Sequence, residues 1–437
     1  MLAGTAIAAG AEGFWHGEVG SQALEIEVTS TGDGALTGRV RGLNSGIDIP
    51  AIVTLNGSRF TLSAPAIEMS IDAAFDGDEI EGQMVRGDSA FDLELERAAA
   101  RAPAQRTQDP KAPFPYAVET VSIPGPVGPL AATLTRPSGA GKQPAVILVT
   151  QDGPQDRNGQ AFAHRPALVL ADALTRAGFV VLRFDDRGVG GSGGIYTKAT
   201  TLDFGADAAA ALKWLRERPD VDASRVGLIG RGNGASIAAI AGSDVAALVL
   251  VSAPVLIGAD SLNAATERQM RENGEDEEDI AERVTLQKKA FAVAADPSKT
   301  EADIRATIEA LIDEAAGLMS FAVPSDVVEQ MARQMSAPWF RHYLTYDPKA
   351  DYAKLKGRVL FLYGEKDTAN APGESAAIAV GSVPGGHAET ATLTGLNAAL
   401  ATFNPDKDAS VYDRAETLNA AAVDRIVTWL NAAMPAT

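Results

Sequence analysis

Residues 227–238, GLIGRGNGASIA, lead from an apolar run into a helix-like stretch and carry the glycine frame of a G-x-S-x-G turn. Such a turn lifts a serine hydroxyl off the end of a strand, where a neighbouring base can activate it for attack on a carbonyl. The central position here is Gly232, which has no side chain. Ser236 lies one helical turn further on, which displaces its oxygen by roughly 6 Å, well outside the about 3–3.5 Å of near-attack geometry. Ser192 in GVGGSGG and Ser252 in VSAP fall nearer strand ends and read as turn or cap residues. There is no cysteine and there are four histidines, which removes thiolate chemistry. Asp152, Asp156, Asp185 and Asp367 are candidates to converge above a sheet, but no H-x-x-H or E-x-x-H pair accompanies them. Neither a metal nor another cofactor is expected. No phosphate-binding loop occurs, and GVGGSGG lacks the feeding strand of a dinucleotide fingerprint.

The elements that must position these residues change character along the chain. Residues 13–97 show eight short alternating runs, from GFWHGEV to AFDLELERA, separated by TGDG, NGS, DGD and GDS. Strands at that spacing with hairpin turns predict an all-β, barrel-like domain, with Trp15 as a core plug. Residues 98–115 are rich in Ala, Pro and polar types and read as a linker of defined extension. Residues 116–437 alternate apolar runs with helical patterns, QPAVILVT, FVVLRFD, RVGLIG, VAALVLVSAP and RVLFLYGEKD being the runs. This predicts β-α-β units, a mostly parallel doubly wound sheet and an α/β fold class. Between 257 and 348 the β pattern stops, and a helical lid above the carboxyl ends of the strands is expected.

Composition sets outer limits. The 437 residues carry 38 Lys and Arg against 57 Asp and Glu, a formal charge of −19. That field repels nucleic acid and anionic lipid, so no nucleic-acid partner is expected. No apolar stretch reaches the about 18 residues of a membrane span. Residues 1–12 are small and apolar, with an A-x-A-like Ala9-Gly10-Ala11 but no basic segment. They read as a frayed end or a signal remnant, and the reading leans towards a periplasmic or secreted protein over a cytoplasmic one.

The elbow frame, TQDGPQDRNG, RFDDRGVGGSGG, PWFRHYLTYDP, and LYGEKD followed by GLN occur in that order and resemble the α/β-hydrolase superfamily. More narrowly they are similar to bacterial carboxylesterase-like hydrolases with a β-rich N-terminal domain. The resemblance implies a Ser-Asp-His triad in chain order and an oxyanion site beside it. It maps the nucleophile onto Gly232, the acid onto Asp367 and the histidine onto Ala398, where the family reads G-L-N-H. It places Arg231 and Asn233 around the elbow, where the family reads G-H-S-E-G-G, and Gln151 and Asp152 in the oxyanion loop, where small residues are usual. An aspartate there opposes a developing negative charge.

Two of three triad positions therefore lack their side chains. His16, His164, His342 and His387 fall in the β domain, before a helix, at the lid's exit and before a late strand, none an evident substitute. The expectation is a non-catalytic binding or scaffolding homologue that keeps a pocket for a small ester-like or apolar ligand. Two alternatives stand beside it: an acyl hydrolase with relocated groups (Ser236 or Ser192, Asp367 and one histidine), and a ligand-binding role for the β domain. The ligand and the oligomeric state are not specified by the sequence.

Overall fold

The computed structural model describes the chain except for residues 1–9, 20–21, 32–33, 43–46, 88, 100–105, 140, 151–152, 316–322, 404–413 and 436–437. Most of the segment expected as a signal remnant, part of the linker, part of the helical insertion, and Gln151 and Asp152 thus lie outside the described residues.

Eight strands close into an up-and-down barrel: β1 (Gly13–Val19), β2 (Gln22–Ser30), β3 (Leu36–Gly42), β4 (Asp48–Asn56), β5 (Arg59–Ala64), β6 (Met69–Phe75), β7 (Glu79–Arg86) and β8 (Ser89–Ala98). Each pairs antiparallel with its neighbour, and β1 closes on β8 through Trp15↔Arg97. Period-2 alternation makes this work, because one apolar set per strand can point inward. Ile26, Val40, Ile49, Leu62 and Ile71 fill the interior. Trp15 is fully buried, donates its Nε1–H to the Ala11 carbonyl at 3.0 Å, and meets Phe75 edge-on. The described interior is a packed apolar core.

The second unit is an eight-stranded sheet ordered β16-β15-β14-β13-β11-β12-β10-β9. Its strands are β9 (Tyr116–Gly125), β10 (Gly128–Pro137), β11 (Gln143–Val149), β12 (Val180–Phe184), β13 (Val221–Arg231), β14 (Ala247–Val251), β15 (Arg358–Gly364) and β16 (Ala388–Leu393). The β9–β10 hairpin and the β10–β12 pair are antiparallel, and every other pairing is parallel. The parallel strands β11 to β15 are largely buried on both faces, which is why they read as apolar runs, whereas β16 at the edge is half-exposed. Helices α1 (Pro166–Arg176) and α11 (Ala420–Ala433) cover one face; α2 (Thr201–Arg216) and α3 (Asn233–Ala241) cover the other, and α10 (Pro372–Gly381) packs on β15 and β16. Strand order reverses between β11 and β13, so a crevice opens at their carboxyl ends.

Among the described residues, five α-helices stand between β14 and the short α9 (Lys349–Tyr352): α4 (Gly258–Glu272), α5 (Glu277–Ala295), α6 (Glu301–Glu314), α7 (Ser325–Ser336) and α8 (Pro338–Thr345). They have a small core of their own around Ile304, Ile308, Val328 and Phe340. No described helix is long and apolar enough to cross a membrane.

The barrel is docked. Val189 of the sheet unit is part of the barrel's apolar cluster. Gln160 donates to Asp48 at 3.0 Å, Thr197 donates to Glu68 at 2.5 Å, and Arg333 of α7 donates to the Arg86 carbonyl and to Ser89. The described part of the linker is pinned as well: Arg106 donates to the Phe162 and Arg414 carbonyls, and Asp109 pairs with Arg165.

Candidate functional site

The strand-to-helix turn forms as the glycine frame predicts. Gly232, between β13 and α3, has φ 56° and ψ −127°, a conformation that favours glycine. Its N–H donates to the Val251 carbonyl, and its own carbonyl accepts from Ala235 N–H, both at 3.0 Å. The flanking glycines answer a different demand. A Cβ on Gly230 would sit 2.0 Å from the Gly234 carbonyl oxygen, and one on Gly234 would sit 2.1 Å from the Thr150 carbonyl oxygen. Gly230 and Gly234 therefore let α3 cross the ends of β13 and β11 at close range.

Neighbouring strands bring the other mapped positions to the same end of the sheet. Ser252 N–H, after β14, donates to the Leu362 carbonyl of β15, and Asn370 Nδ2 reaches back to the Ser252 carbonyl at 3.0 Å. The loop after β16 folds against the end of β15: Lys366 N–H donates to the Leu396 carbonyl at 2.8 Å, and Glu365 accepts from Gly395 N–H. Asn397 clamps that loop by accepting from Ala399 and Ala401 N–H, and this sets Ala398 in place. The segments bearing Gly232, Asp367 and Ala398 are thus linked by backbone hydrogen bonds.

Asp367 is buried, and its Oδ1 accepts from Ala369 N–H at 3.1 Å and Asn370 N–H at 2.9 Å. It caps the turn after β15. Its Oδ2 is buried without a hydrogen-bond partner. Burial pushes the carboxyl's pKa up, opposed by the Asn370 and Ala369 N–H groups and the Ser252 hydroxyl.

The imidazoles have other neighbours. His16 pairs with Glu25 on the barrel wall, and His164 bonds Thr417. His342 on α8 stacks at a tilt on Tyr346, and desolvation holds its pKa down. His387 precedes β16 at the end opposite Asp367, because β16 runs parallel to β15. The hydroxyls considered as substitutes are also committed or enclosed. Ser236 is fully buried inside α3. Ser192 donates to the Asp185 carbonyl at 2.8 Å and accepts from Ala131 N–H. Ser252 is buried, with φ 47°.

The loop after β11 is braced from β12. Asp185 accepts from Arg157 through both backbone and guanidinium. Arg187 turns the other way and pairs with Asp207 of α2 at 2.7 Å. Asp186 accepts from the Thr150 hydroxyl at 2.5 Å and from Gln155 N–H at 3.0 Å. Burial pushes Asp186 up to about 7 despite those two bonds. The acidic side chains of RFDDRG are therefore spent on positioning GPQDRNG.

Beside the elbow lies a cavity of about 80 Å³ at the carboxyl ends of β11 and β13. Arg231 lines it, with Gly230, Thr150, Gln155, Ala399 and Leu400, while α1 and α11 supply apolar walls. Asn233, the first residue of α3, carries a buried Oδ1 without a hydrogen-bond partner. Of the residues expected to bind, Arg231 is at the cavity. Sequence reasoning missed the walls, among them Leu170 and Ile426, whose only signal was the apolar stripe of two ordinary amphipathic helices, and Leu418 just before the second of them.

The sequence model of the family described as X-Pro dipeptidyl-peptidase (S15 family) matches residues 129–373, more than half of the chain. The chain belongs to that family. The sheet order and the strand–Gly232–helix turn are those of an α/β-hydrolase, as the sequence motifs implied. The matched span contains Gly232 and Asp367 and stops short of Ala398 and of the barrel. An uncharacterized protein of Mycobacterium tuberculosis is 37% identical over 98 residues, 22% of this chain. The chain spans 31% of the length of that curated relative. Among solved structures, an esterase of Pyrococcus furiosus is similar over 73% of this chain and 92% of its own, with 16% identity and a TM-score of 0.44. A hypothetical protein of Pseudomonas aeruginosa is similar over 77% of this chain and 99% of its own, at 16% identity and a TM-score of 0.44.

Proposed function

We propose that this α/β-hydrolase family member binds a small, partly apolar ligand at the carboxyl ends of β11 and β13 without hydrolysing it, the helices α4–α8 serving as a lid. The observation that carries the reading is the surrounding of Asp367. Its carboxylate caps a turn, and its Oδ2 is buried without a hydrogen-bond partner, whereas a triad acid holds an imidazole. The backbone at Gly232 supports it, since the elbow's geometry persists there with no side chain to act as nucleophile. Loss of a triad serine or histidine lowers turnover by on the order of 10⁶.

The test uses purified protein with p-nitrophenyl esters from acetate to octanoate and with an X-Pro p-nitroanilide, alongside a fluorophosphonate probe that labels activated serines. The expected result is turnover at the buffer rate and no labelling. Saturable hydrolysis abolished by Ser236→Ala or Ser252→Ala would overturn the reading. Gly232→Ser alone should remain inert, and Gly232→Ser with Ala398→His should gain weak esterase activity, because only the pair restores both attack and proton transfer. Full activity from the single change would mean that another group is the base.

A further inference from the structure

We propose that Asn56, at the tip of the β4–β5 hairpin, is a site of spontaneous deamidation, and that folding singles it out from the other asparagines that precede a glycine.

The chemistry is local. Asparagine is a thermolabile residue, and a following glycine has no side chain to shield its amide nitrogen. That nitrogen attacks the asparagine Cγ and gives up its proton, and ammonia leaves with it. The resulting cyclic imide takes up water at one of its two carbonyls, which yields aspartate or isoaspartate. Solvent water is the sole co-reactant.

The pair Asn-Gly occurs four times, at 56–57, 158–159, 233–234 and 273–274. Sequence alone ranks them equally. Two requirements separate them in the folded chain. The glycine N–H must be free of a hydrogen bond, and the asparagine side chain must be free to swing onto it. Asn158 fails on both counts: its Oδ1 accepts from Arg183, and Gly159 N–H donates to the Asp156 carbonyl at 2.8 Å. Asn273, just after α4, is exposed but is tied in the same way. Its Oδ1 accepts from Gln269 Nε2 at 3.2 Å, and Gly274 N–H donates to the Arg271 carbonyl at 3.0 Å. Asn233 opens α3, and Gly234 is buried so close to Thr150 that a Cβ there would lie 2.1 Å from the Thr150 carbonyl oxygen. An imide ring has no room at that place.

Asn56 meets both requirements. It is the exposed last residue of β4 and pairs with Arg59 across a two-residue turn. Among the described residues, neither its side-chain amide nor the Gly57 N–H has a hydrogen-bond partner. Gly57 has φ 62° and open space where a Cβ would stand. The ladder holds Asn56 only through its terminal pair, and such ends open at the least cost. Below it, Val53, Phe60 and Leu62 are buried in the barrel core, so the barrel persists after the change. Both products place a new carboxylate at the turn, and isoaspartate also lengthens the main chain by a methylene.

The experiment holds the full chain at mildly alkaline pH, in native buffer and in parallel in urea. Each Asn-Gly peptide is followed by mass spectrometry after digestion, and isoaspartate is counted with an isoaspartyl methyltransferase. In urea the four sites should convert at similar rates. In native buffer Asn56 should convert at least about ten-fold faster than Asn158, Asn233 or Asn273, the factor supplied by the hydrogen bonds and packing that those sites must first break. Asn56→Ser should abolish the product at that position and leave the other three rates unchanged. Native conversion at Asn273 as fast as at Asn56, or an inert Asn56 in native buffer beside a reactive one in urea, would overturn the assignment. An equal ten-fold lead of Asn56 in urea would overturn the claim that the fold selects it.

Discussion

Three glycines within five residues look interchangeable in the string GRGNG, but the structure gives them separate duties. Gly230 and Gly234 are defined by what lies against them, a carbonyl oxygen about where each Cβ would be. Gly232 is defined by its own φ and ψ. The consequences differ in size. Gly230→Ala pushes a methyl group into backbone, which no rotamer change relieves, and should destabilise the protein by more than about 3 kcal/mol. Gly232→Ser should cost about 1–3 kcal/mol, the usual strain of a side chain in that region. Urea unfolding of both variants measures the difference, and equal losses would contradict it.

At the scale of elements, the loop after β11 is held by side chains at the end of β12. Asp185 does so as an ion pair with Arg157, and Asp186 does so with a pKa of about 7 set by burial. In an unfolded chain an aspartate titrates near about 3.9. Between about pH 4 and 7 the folded state therefore keeps a proton that the unfolded chain has lost. The associated stability is complete below about pH 4 and disappears as pH rises through about 7. Asp186→Asn removes this titration while keeping an acceptor for Gln155 N–H. The melting temperature of the variant relative to wild type should accordingly be more favourable at pH 8 than at pH 4.5. A difference that does not change with pH would place the Asp186 pKa in the ordinary range.

For the whole molecule, the barrel is a structural partner of the sheet unit. It touches the loop after β11 through Asp48 and Gln160, the loop after β12 through Glu68 and Thr197, and the helical insertion through Ser89 and Arg333. All three segments border the carboxyl ends of the strands, so the barrel ties them together. Arg333→Ala removes two partly buried hydrogen bonds from α7. Global stability should fall by only about 1–2 kcal/mol. Hydrogen exchange should rise in α7 and at the β7–β8 turn while the barrel core keeps its protection. Faster exchange throughout the barrel would mean that this contact supports the fold of the barrel itself.

What the sequence determined by itself is local. Eight alternating runs became eight strands, because a two-residue period needs only its own side chains and a nearby partner strand. The buried parallel strands, the turn at Gly232 and the helical character of the described residues between 258 and 345 follow from the same short-range rules. Family motifs extended that reading to Asp367 and Ala398. Tertiary structure decided everything that depends on residues far apart in the chain. The cap that Asp367 makes on Ala369 and Asn370 is local, two and three residues on, but that its Oδ2 is buried without a hydrogen-bond partner depends on what packs around it. The cavity at Arg231 exists because α1 and α11, about 250 residues apart, meet over the same strand ends. Periodicity carries no information about such meetings, since packing partners are chosen by the folded topology and not by neighbours in sequence.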